Sequence, residues 1–119
     1  MEPCLQHVAQ CVIHDMNTEL LKEFQVEEIS MALKQMAPLK APGPDHFNSC
    51  FFQTNWATIG DEVCHVVLNI LNFGSMPPDL NMTHIALIPK KKDPLCVNDF
   101  RPISLCNVLY KLISKVLAN

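Results

Sequence analysis

The chain has 119 residues, of which 49% are hydrophobic and 18% are charged. This length suits one domain, and this composition is typical of a chain that folds, which excludes a disordered tail. No stretch approaches 18 uncharged apolar residues, and no basic segment followed by an apolar run opens the chain, so neither a membrane span nor a signal peptide is predicted. We therefore expect an intracellular protein, nuclear or cytoplasmic, with no membrane partner.

The net charge of −3 conceals an uneven distribution. Residues 1–89 carry 3 basic and 10 acidic side chains, whereas residues 90–119 carry 6 basic and 2 acidic ones. A positive final quarter on an acidic body indicates a local anion site, since a general polyanion binder is usually basic throughout. The six cysteines contain no Cys-x-x-Cys pair, and we expect free thiols.

The first part of the chain is predicted to be helical. Residues 1–24 show mixed periodicity, so a helix is expected there without readable limits. Over Val26–Met36 apolar residues recur on one face, and Glu27 and Glu28 lie in the first turn, where the helix dipole favours carboxylates. Three prolines and a glycine within Pro38–Pro44 predict a stiff, ordered loop.

Two more helices and a strand follow. A short helix is expected over Phe47–Trp56 and a longer one over Asp61–Phe73, with Gly74 as its C-terminal cap. Thr83–Ile88 has the length and apolar character of a mostly buried strand.

The last third contains a second strand and a terminal helix. In the strand Phe100–Leu105, Pro102 cannot donate to a ladder and belongs at an edge or a strand start. Alternation places three of its side chains on one side: Arg101, Ile103 and Leu105. The helix Asn107–Asn119 presents six aliphatic side chains on one face: Val108, Leu109, Leu112, Ile113, Val116 and Leu117. If no part of the chain covers that face, we expect marginal folding or self-association through this helix.

Basic side chains lie at both ends of the expected strand-loop-strand unit: Lys90, Lys91, Lys92 and Arg101. Arginine offers a planar fork that meets two phosphate oxygens together, and lysine supplies a mobile point charge. The arrangement of Lys90 and Arg101 therefore suits the binding of phosphates. The simpler interpretation of the lysines is a solvated loop.

A possible zinc motif lies near the N-terminus. Cys4, His7, Cys11 and His14 fall at helical spacing and are residue types that zinc accepts. However, one helix would spread them over about 15 Å, whereas tetrahedral ligation needs four side chains that converge. Ordinary helix packing is the preferred interpretation, and no metal site is predicted.

Three ordered motifs carry a family resemblance: Lys40-Ala41-Pro42-Gly43-Pro44-Asp45, then Ile85–Lys92, then Asp99–Leu105 continuing to Lys115. Together they resemble the N-terminal part of the reverse transcriptase of LINE-type non-LTR retrotransposons, most closely those of plants. The resemblance covers roughly residues 15–119 in consistent order and includes smaller landmarks at Glu27-Glu28-Ile29, Trp56, Gly60-Asp61 and Pro77-Pro78.

The resemblance implies an α+β fold, the mostly helical fingers and early palm of a right-hand polymerase with a short two-stranded antiparallel β unit. It implies an N-terminal helical segment at 1–37, followed by the fingers and the start of the palm at 38–119. Residues implied to approach the phosphates of the incoming nucleotide are Lys90 and Arg101. Residues implied to lie near the template are Pro42, Gly43, Pro44, Asp45, Lys91 and Lys92.

The family's catalytic carboxylates come from a later strand and a Tyr-Ala-Asp-Asp turn. This sequence has one tyrosine, Tyr110, and no adjacent aspartates, so we assign no catalytic or metal-ligating residue and expect no polymerase activity from the isolated chain. Mg²⁺ is expected only for the full-length polymerase. The implied partners are an RNA template or RNA/DNA hybrid and a dNTP. A noncatalytic helical protein-interaction module, or an inert remnant of a degenerate element, stays open as the alternative.

One position departs from the family. Where the family usually has glycine after the Pro-Gly-Pro-Asp loop, this chain has His46. If that position has a positive φ, histidine costs on the order of 1 kcal/mol there, which bends the loop or marks a copy free to decay.

Overall fold

The computed structural model describes residues 6–119, in which five helices and two strands are formed. In chain order they are α1 (His14–Leu20), α2 (Val26–Gln35), α3 (Ser49–Thr54), α4 (Trp56–Phe73), β1 (Thr83–Pro89), β2 (Phe100–Cys106) and α5 (Val108–Ala118). Short 3-10 turns at Pro78–Asn81 and Val97–Asp99 precede the strands. Within residues 6–119, no helix has both the length and the apolar character that crossing a bilayer requires.

Helix α2 forms where its sequence predicts it. The backbone N–H of Gln25 donates to Glu28 Oε2 at 2.7 Å, which satisfies a donor that the first turn leaves without a partner. At the other end Met36 takes an extended conformation, two residues before Pro38. The prediction of a helix over Val26–Met36 is confirmed to within one residue.

Helix α4 starts five residues earlier than predicted, at Trp56 instead of Asp61. The observed helix includes Gly60, a residue type that disfavours helix interiors. A Cβ atom on Gly60 would lie 3.0 Å from Trp56 Cε2, so the missing side chain makes room for the indole one turn earlier. The shorter helix α3 is capped by Asn48, whose Oδ1 accepts the N–H of Phe51 at 3.1 Å.

Helix α4 ends as predicted at Gly74, which has a φ of 74°. Its N–H donates to the carbonyl of Ile70 at 2.8 Å. This left-handed residue lets the chain leave the helix with little steric cost.

The hydrophobic core lies mainly between α2, α4 and α5, and it draws on residues from both sides of position 37. Twelve buried side chains form it: Ile29, Ala32, Leu33, Phe52, Val63, Cys64, Val67, Ile70, Val108, Leu112, Ile113 and Val116. Four of the six aliphatic residues of the terminal helix are among them, whereas Leu117 is 62% exposed. The face that was expected to need a partner is therefore largely covered within the chain. Self-association through α5 stays a prediction, but the uncovered apolar face from which it was argued is not found.

Strands β1 and β2 form an antiparallel hairpin, as predicted, with Thr83 opposite Cys106 and Pro89 opposite Phe100. This register places Arg101, Ile103 and Leu105 on one face, opposite Ile88, Ala86 and His84. In a two-stranded sheet both strands are edges, which accommodates the proline in β2.

The expectation that β1 is mostly buried is wrong. Six of its seven positions are exposed, and Ile85 and Leu87 are 67% and 58% exposed. An apolar strand becomes buried only when a second layer covers it. In residues 6–119 no such layer covers the hairpin, so apolar character alone did not predict its environment.

The N-terminal region also differs from expectation. Helix α1 begins at His14 and buries none of its residues. His7 and Cys11 precede this helix, so the predicted packing of these residues with His14 on one helical face is wrong. Cys4 lies outside the described residues. Among residues 6–119, His, Cys, Asp and Glu side chains form no group of three or more that could hold a metal ion.

Candidate functional site

The loop at the hairpin tip, residues 90–99, is ordered around the carboxylate of Asp99. Asp99 Oδ2 accepts the N–H groups of Leu95 and Cys96 at 2.9 and 3.2 Å, and Lys91 Nζ lies 3.1 Å from the same oxygen. The hydrogen bond from Leu95, followed by that from the Lys91 ammonium, lowers the pKa of the Asp99 carboxyl group. Asp99 therefore stays ionised at neutral pH and holds the loop closed.

Lys90 continues the ladder beyond the last strand pair. Its N–H donates to the carbonyl of Asp99 at 2.7 Å, and its Nζ donates to the carbonyl of Asn98 at 3.0 Å. This backbone bond extends the register by one position beyond the Pro89–Phe100 pair, and strand alternation carried over that position would place Lys90 and Arg101 on one face as diagonal neighbours. Such neighbours are about 7–8 Å apart, within reach of each other's long side chains.

The four basic residues of the tip differ in whether their side chains already bind other groups of the chain. Lys90 and Lys91 bind the chain's own carbonyl and carboxylate groups, as described above. Lys92 and Arg101 are exposed, and neither forms an ion pair within residues 6–119. Lys92 and Arg101 therefore keep their full donor capacity for an external anion.

The Pro42–Asp45 loop docks on the junction between β2 and α5. Gly43 is buried there, and a Cβ atom on it would lie 2.4 Å from both Asn107 N and Cys106 C. The N–H of Asp45 donates to Asn107 Oδ1 at 3.1 Å. Because backbone atoms cannot move aside easily, this close approach requires glycine. The first and third motifs of the sequence are thus in direct contact.

A tight turn closes the same loop. The N–H of His46 donates to the carbonyl of Gly43 at 3.0 Å, and Asp45 Oδ1 accepts the N–H of Phe47 at 3.0 Å. His46 has a φ of 64°, in the left-handed region that favours glycine. The position where the family usually has glycine therefore does have a positive φ in this chain. Histidine is strained there by about 1 kcal/mol.

The predicted site residues fall into two groups. Lys90, Lys91, Lys92 and Arg101 lie at the tip of the hairpin, whereas the Pro42–Asp45 loop docks at its base beside Cys106. Cys106 lies five positions after Arg101 along the strand, which corresponds to about 17 Å. The residues predicted to lie near a template are therefore divided between both ends of β2.

The sequence analysis missed a second basic cluster. Seven residues line a cavity of about 310 Å³ beside α5: Gln35, Met36, Ala37, Lys40, Ser49, Lys111 and Lys115. The spacing of Lys111 and Lys115 by four residues was a readable sign that both lie on one side of the helix. Lys40 joins them only because the Pro42–Asp45 loop docks on α5, which no local pattern reports.

An exposed aromatic pair was also missed. The rings of Phe47 and Phe51 have centroids 4.5 Å apart, and the two side chains are 46% and 38% exposed. They follow the Pro42–Asp45 loop directly. The spacing of four residues across a helix start was the available signal.

The environment of Cys64 disfavours an activated thiol. Burial, followed by the negative charges of Asp61 and Glu27, raises the pKa of Cys64 above its usual range. The five described cysteines are free thiols, as predicted, and Cys4 lies outside the described residues. Cys64 therefore acts as a small core side chain.

Comparison with known proteins relates the chain to a transposon. Over 93 residues it is 32% identical to an uncharacterized 149 kDa protein of transposon TX1 from Xenopus laevis. The match covers 78% of this chain and 7% of that protein, so the chain spans a small part of its relative's length. No protein-family model matches the chain. The transposable-element part of the resemblance is confirmed, and the reverse-transcriptase and plant-LINE parts stay predictions.

Proposed function

We propose that this chain is the fingers and early palm of a retrotransposon RNA-directed DNA polymerase and that its hairpin tip binds nucleotide phosphates. The similarity to a transposon protein supports the origin of the chain in a transposable element. The three ordered motifs support the polymerase assignment. The observation that carries the proposed phosphate contact is the backbone bond from Lys90 to Asp99 next to the Pro89–Phe100 pair, from which we infer that Lys90 and Arg101 are diagonal neighbours on one face of the hairpin.

The chemistry of the tip suits a triphosphate. Arg101 supplies a planar fork from a fixed strand position, and Lys90 supplies a point charge that the Asn98 carbonyl already orients. The carboxylate of Asp99 is balanced by Lys91, so Asp99 takes little from the positive potential of Lys92 and Arg101. Because the tip is exposed, its attraction for anions should weaken strongly with salt.

The described residues do not fit the two-metal centre that polymerisation requires. Asp99 Oδ2 already accepts two backbone N–H groups and binds an ammonium. As stated above, acidic, histidine and cysteine side chains form no cluster of three in residues 6–119. We therefore assign no nucleotidyl-transfer step to these residues, and their proposed role is binding.

The alternative, a noncatalytic interaction module that uses the last helix, has little surface available. Val108, Leu112, Ile113 and Val116 point into the core of this chain. Of the six aliphatic residues on that face, Leu117 is the one with a large exposed fraction, 62%. The arrangement of the helix therefore favours the binding role of the hairpin over this alternative.

Salt-dependent RNA binding tests the proposal. Fluorescence anisotropy with a labelled single-stranded RNA would be measured for the unaltered chain, Lys92→Ala and Arg101→Ala at several salt concentrations. Each lost phosphate contact should reduce the slope of log K against log salt by about one. Within residues 6–119 the Lys92 side chain forms no hydrogen bond or ion pair, so its removal changes charge without removing a contact that orders the loop.

Lys34→Ala is the matched control, because Lys34 is exposed on α2 and forms no ion pair within residues 6–119. Its slope should equal that of the unaltered chain. Equal slopes for all four proteins, or no detectable binding at low salt, would refute the proposal.

A further inference from the structure

We propose that the cavity between the end of α2 and helix α5 binds a phosphate group through Lys40, Lys111 and Lys115. The cavity has a volume of about 310 Å³, which exceeds the size of a single phosphate and leaves space for part of an attached sugar. This site is separate from the hairpin tip. The inference does not depend on the polymerase assignment.

The three lysines come from segments that are fixed to each other. Lys111 and Lys115 are one turn apart on α5, so their side chains lie on the same side of the helix. Lys111 Nζ donates to the carbonyl of Ala41 at 3.1 Å, which ties the residue after Lys40 to the helix. The docking of Gly43 on Asn107 fixes the same loop a second time. The three lysines are thus held on the lining of one cavity before any ligand binds.

The charge of this cluster is not balanced within the described chain. None of the seven lining residues is acidic. The two ion pairs found within residues 6–119, Lys22–Glu19 and Lys91–Asp99, involve none of the three lysines. Like charges four residues apart on a helix repel each other, so an anion bound between them would reduce this repulsion. In a protein with a net charge of −3, the cavity is thus a second local concentration of positive charge besides the hairpin tip.

The neighbouring polar groups favour phosphate over carboxylate. Lysines bind phosphate as point charges from several directions, whereas a planar carboxylate is best matched by the fork of arginine, which the cavity lacks. Asn119 Nδ2 donates to Gln35 Oε1 at 3.1 Å, which leaves the amide nitrogen of Gln35 as a further donor. Ser49, 4% exposed, adds a hydroxyl group to the lining. Three cations and two neutral donors match the several oxygens of a phosphate ester.

The phosphate can belong to a small molecule or to a nucleic-acid strand, and two probes separate these sources. Inorganic phosphate and a short single-stranded RNA would each be titrated into the ¹⁵N-labelled full chain. We expect saturable shifts of the backbone amide signals of Lys40, Ser49 and Lys111 with phosphate. If the source is a strand, the RNA should shift the same signals at a concentration at least tenfold lower.

Variants then assign the effect to the lysines. Lys40→Gln and Lys115→Gln should each raise the Kd for phosphate about fivefold, the size expected for one partly exposed ion pair. Lys111 is left unchanged because its ammonium also holds the Ala41 carbonyl. Lys34→Gln makes the same charge change on α2 outside the cavity lining and should leave the Kd unchanged.

Each outcome decides the inference. Cavity shifts with phosphate alone support a small-molecule site, and tighter cavity shifts with RNA support a strand site. Phosphate shifts confined to residues 90–101, or none at all, overturn the inference. Because the mapping uses the unaltered chain, this result does not depend on whether a variant folds.

Discussion

The helical part of the molecule and the β1–β2 hairpin are both rich in aliphatic residues, but the two regions treat them differently. Between α2, α4 and α5, side chains such as Ile29, Val67 and Leu112 are completely buried. In the hairpin, Ile85, Leu87, Ile88 and Ile103 are 45–67% exposed. Helices α2, α4 and α5 are stabilised by burial, whereas the hairpin depends on its backbone ladder and on the hydrogen bonds of its tip.

Because of this difference, the two regions should be sensitive to different changes. A well-packed core is sensitive to lost volume, because a cavity removes both transfer energy and contacts. An exposed loop held by a carboxylate is sensitive to pH and salt instead. The residues proposed to bind phosphate therefore lie at a hairpin tip that is kept ordered by hydrogen bonds and an ion pair to the Asp99 carboxylate.

The largest effect should come from the core. Leu112→Ala removes a side chain with 0% exposure and should reduce the free energy of unfolding by about 2–5 kcal/mol. Leu87→Ala makes the same chemical change in β1, where the side chain is 58% exposed, and should cost less than about 1 kcal/mol. Chemical denaturation of both variants gives the comparison. Equal losses would show that the hairpin is as well packed as the helices.

The docked loop should show the next largest effect. Gly43→Ala places a Cβ atom against the backbone of Cys106 and Asn107, and we expect a loss of about 1–3 kcal/mol from overpacking. Gly74→Ala is the matched control, because no atom lies within 4 Å of its Cβ position and the cost is limited to its φ of 74°, about 1 kcal/mol. A smaller loss at Gly43 than at Gly74 in thermal denaturation would contradict the docking.

These two regions also differ in what the sequence revealed. The limits of α2 follow from local periodicity, the glutamates of its first turn and Pro38, so they were predictable. The two strands were readable from their apolar runs, and their antiparallel pairing was implied by the family resemblance. The placement of Lys90 and Arg101 on one face follows from a hairpin register, which is also local. The exposure of β1 was not predictable, because burial depends on whether another layer covers the strand. Lys40 and Lys111 are 71 positions apart, and their convergence on one cavity depends on a tertiary contact through Gly43.

A smaller effect is expected at the strained turn. His46→Gly relieves a positive φ of 64° and should stabilise the protein by up to about 1 kcal/mol, partly offset by the greater freedom of glycine in the unfolded chain. His46→Ala keeps the strain and serves as the control. A glycine variant no more stable than the alanine variant in urea denaturation would mean that this turn is not strained.

The smallest effect, a local one, concerns the pH dependence of the tip. The pKa of Asp99 is lowered in the folded chain, so its stabilising contribution is complete above the unfolded value of about 3.9 and disappears as the pH falls through the lower folded value. The NMR signals of the Leu95 and Cys96 amides, which donate to this carboxylate, should follow its titration.

Two variants sharpen this prediction. Asp99→Asn should shift both amide signals at neutral pH, whereas Asp93→Asn removes a charge from the same loop and should leave them in place. A carboxyl titration of Asp99 at or above the ordinary aspartate range would contradict the network.

The proposal that Lys90 and Arg101 bind one triphosphate together is tested most directly by a double-mutant cycle on binding. The affinity for a deoxynucleoside triphosphate would be measured by calorimetry for the unaltered chain, Lys90→Ala, Arg101→Ala and the double variant. If both side chains hold one triphosphate, the two losses should be non-additive, with a coupling energy of at least about 0.5 kcal/mol. Additive losses, or affinities that no substitution changes, would contradict the claim that these two residues act on the same ligand.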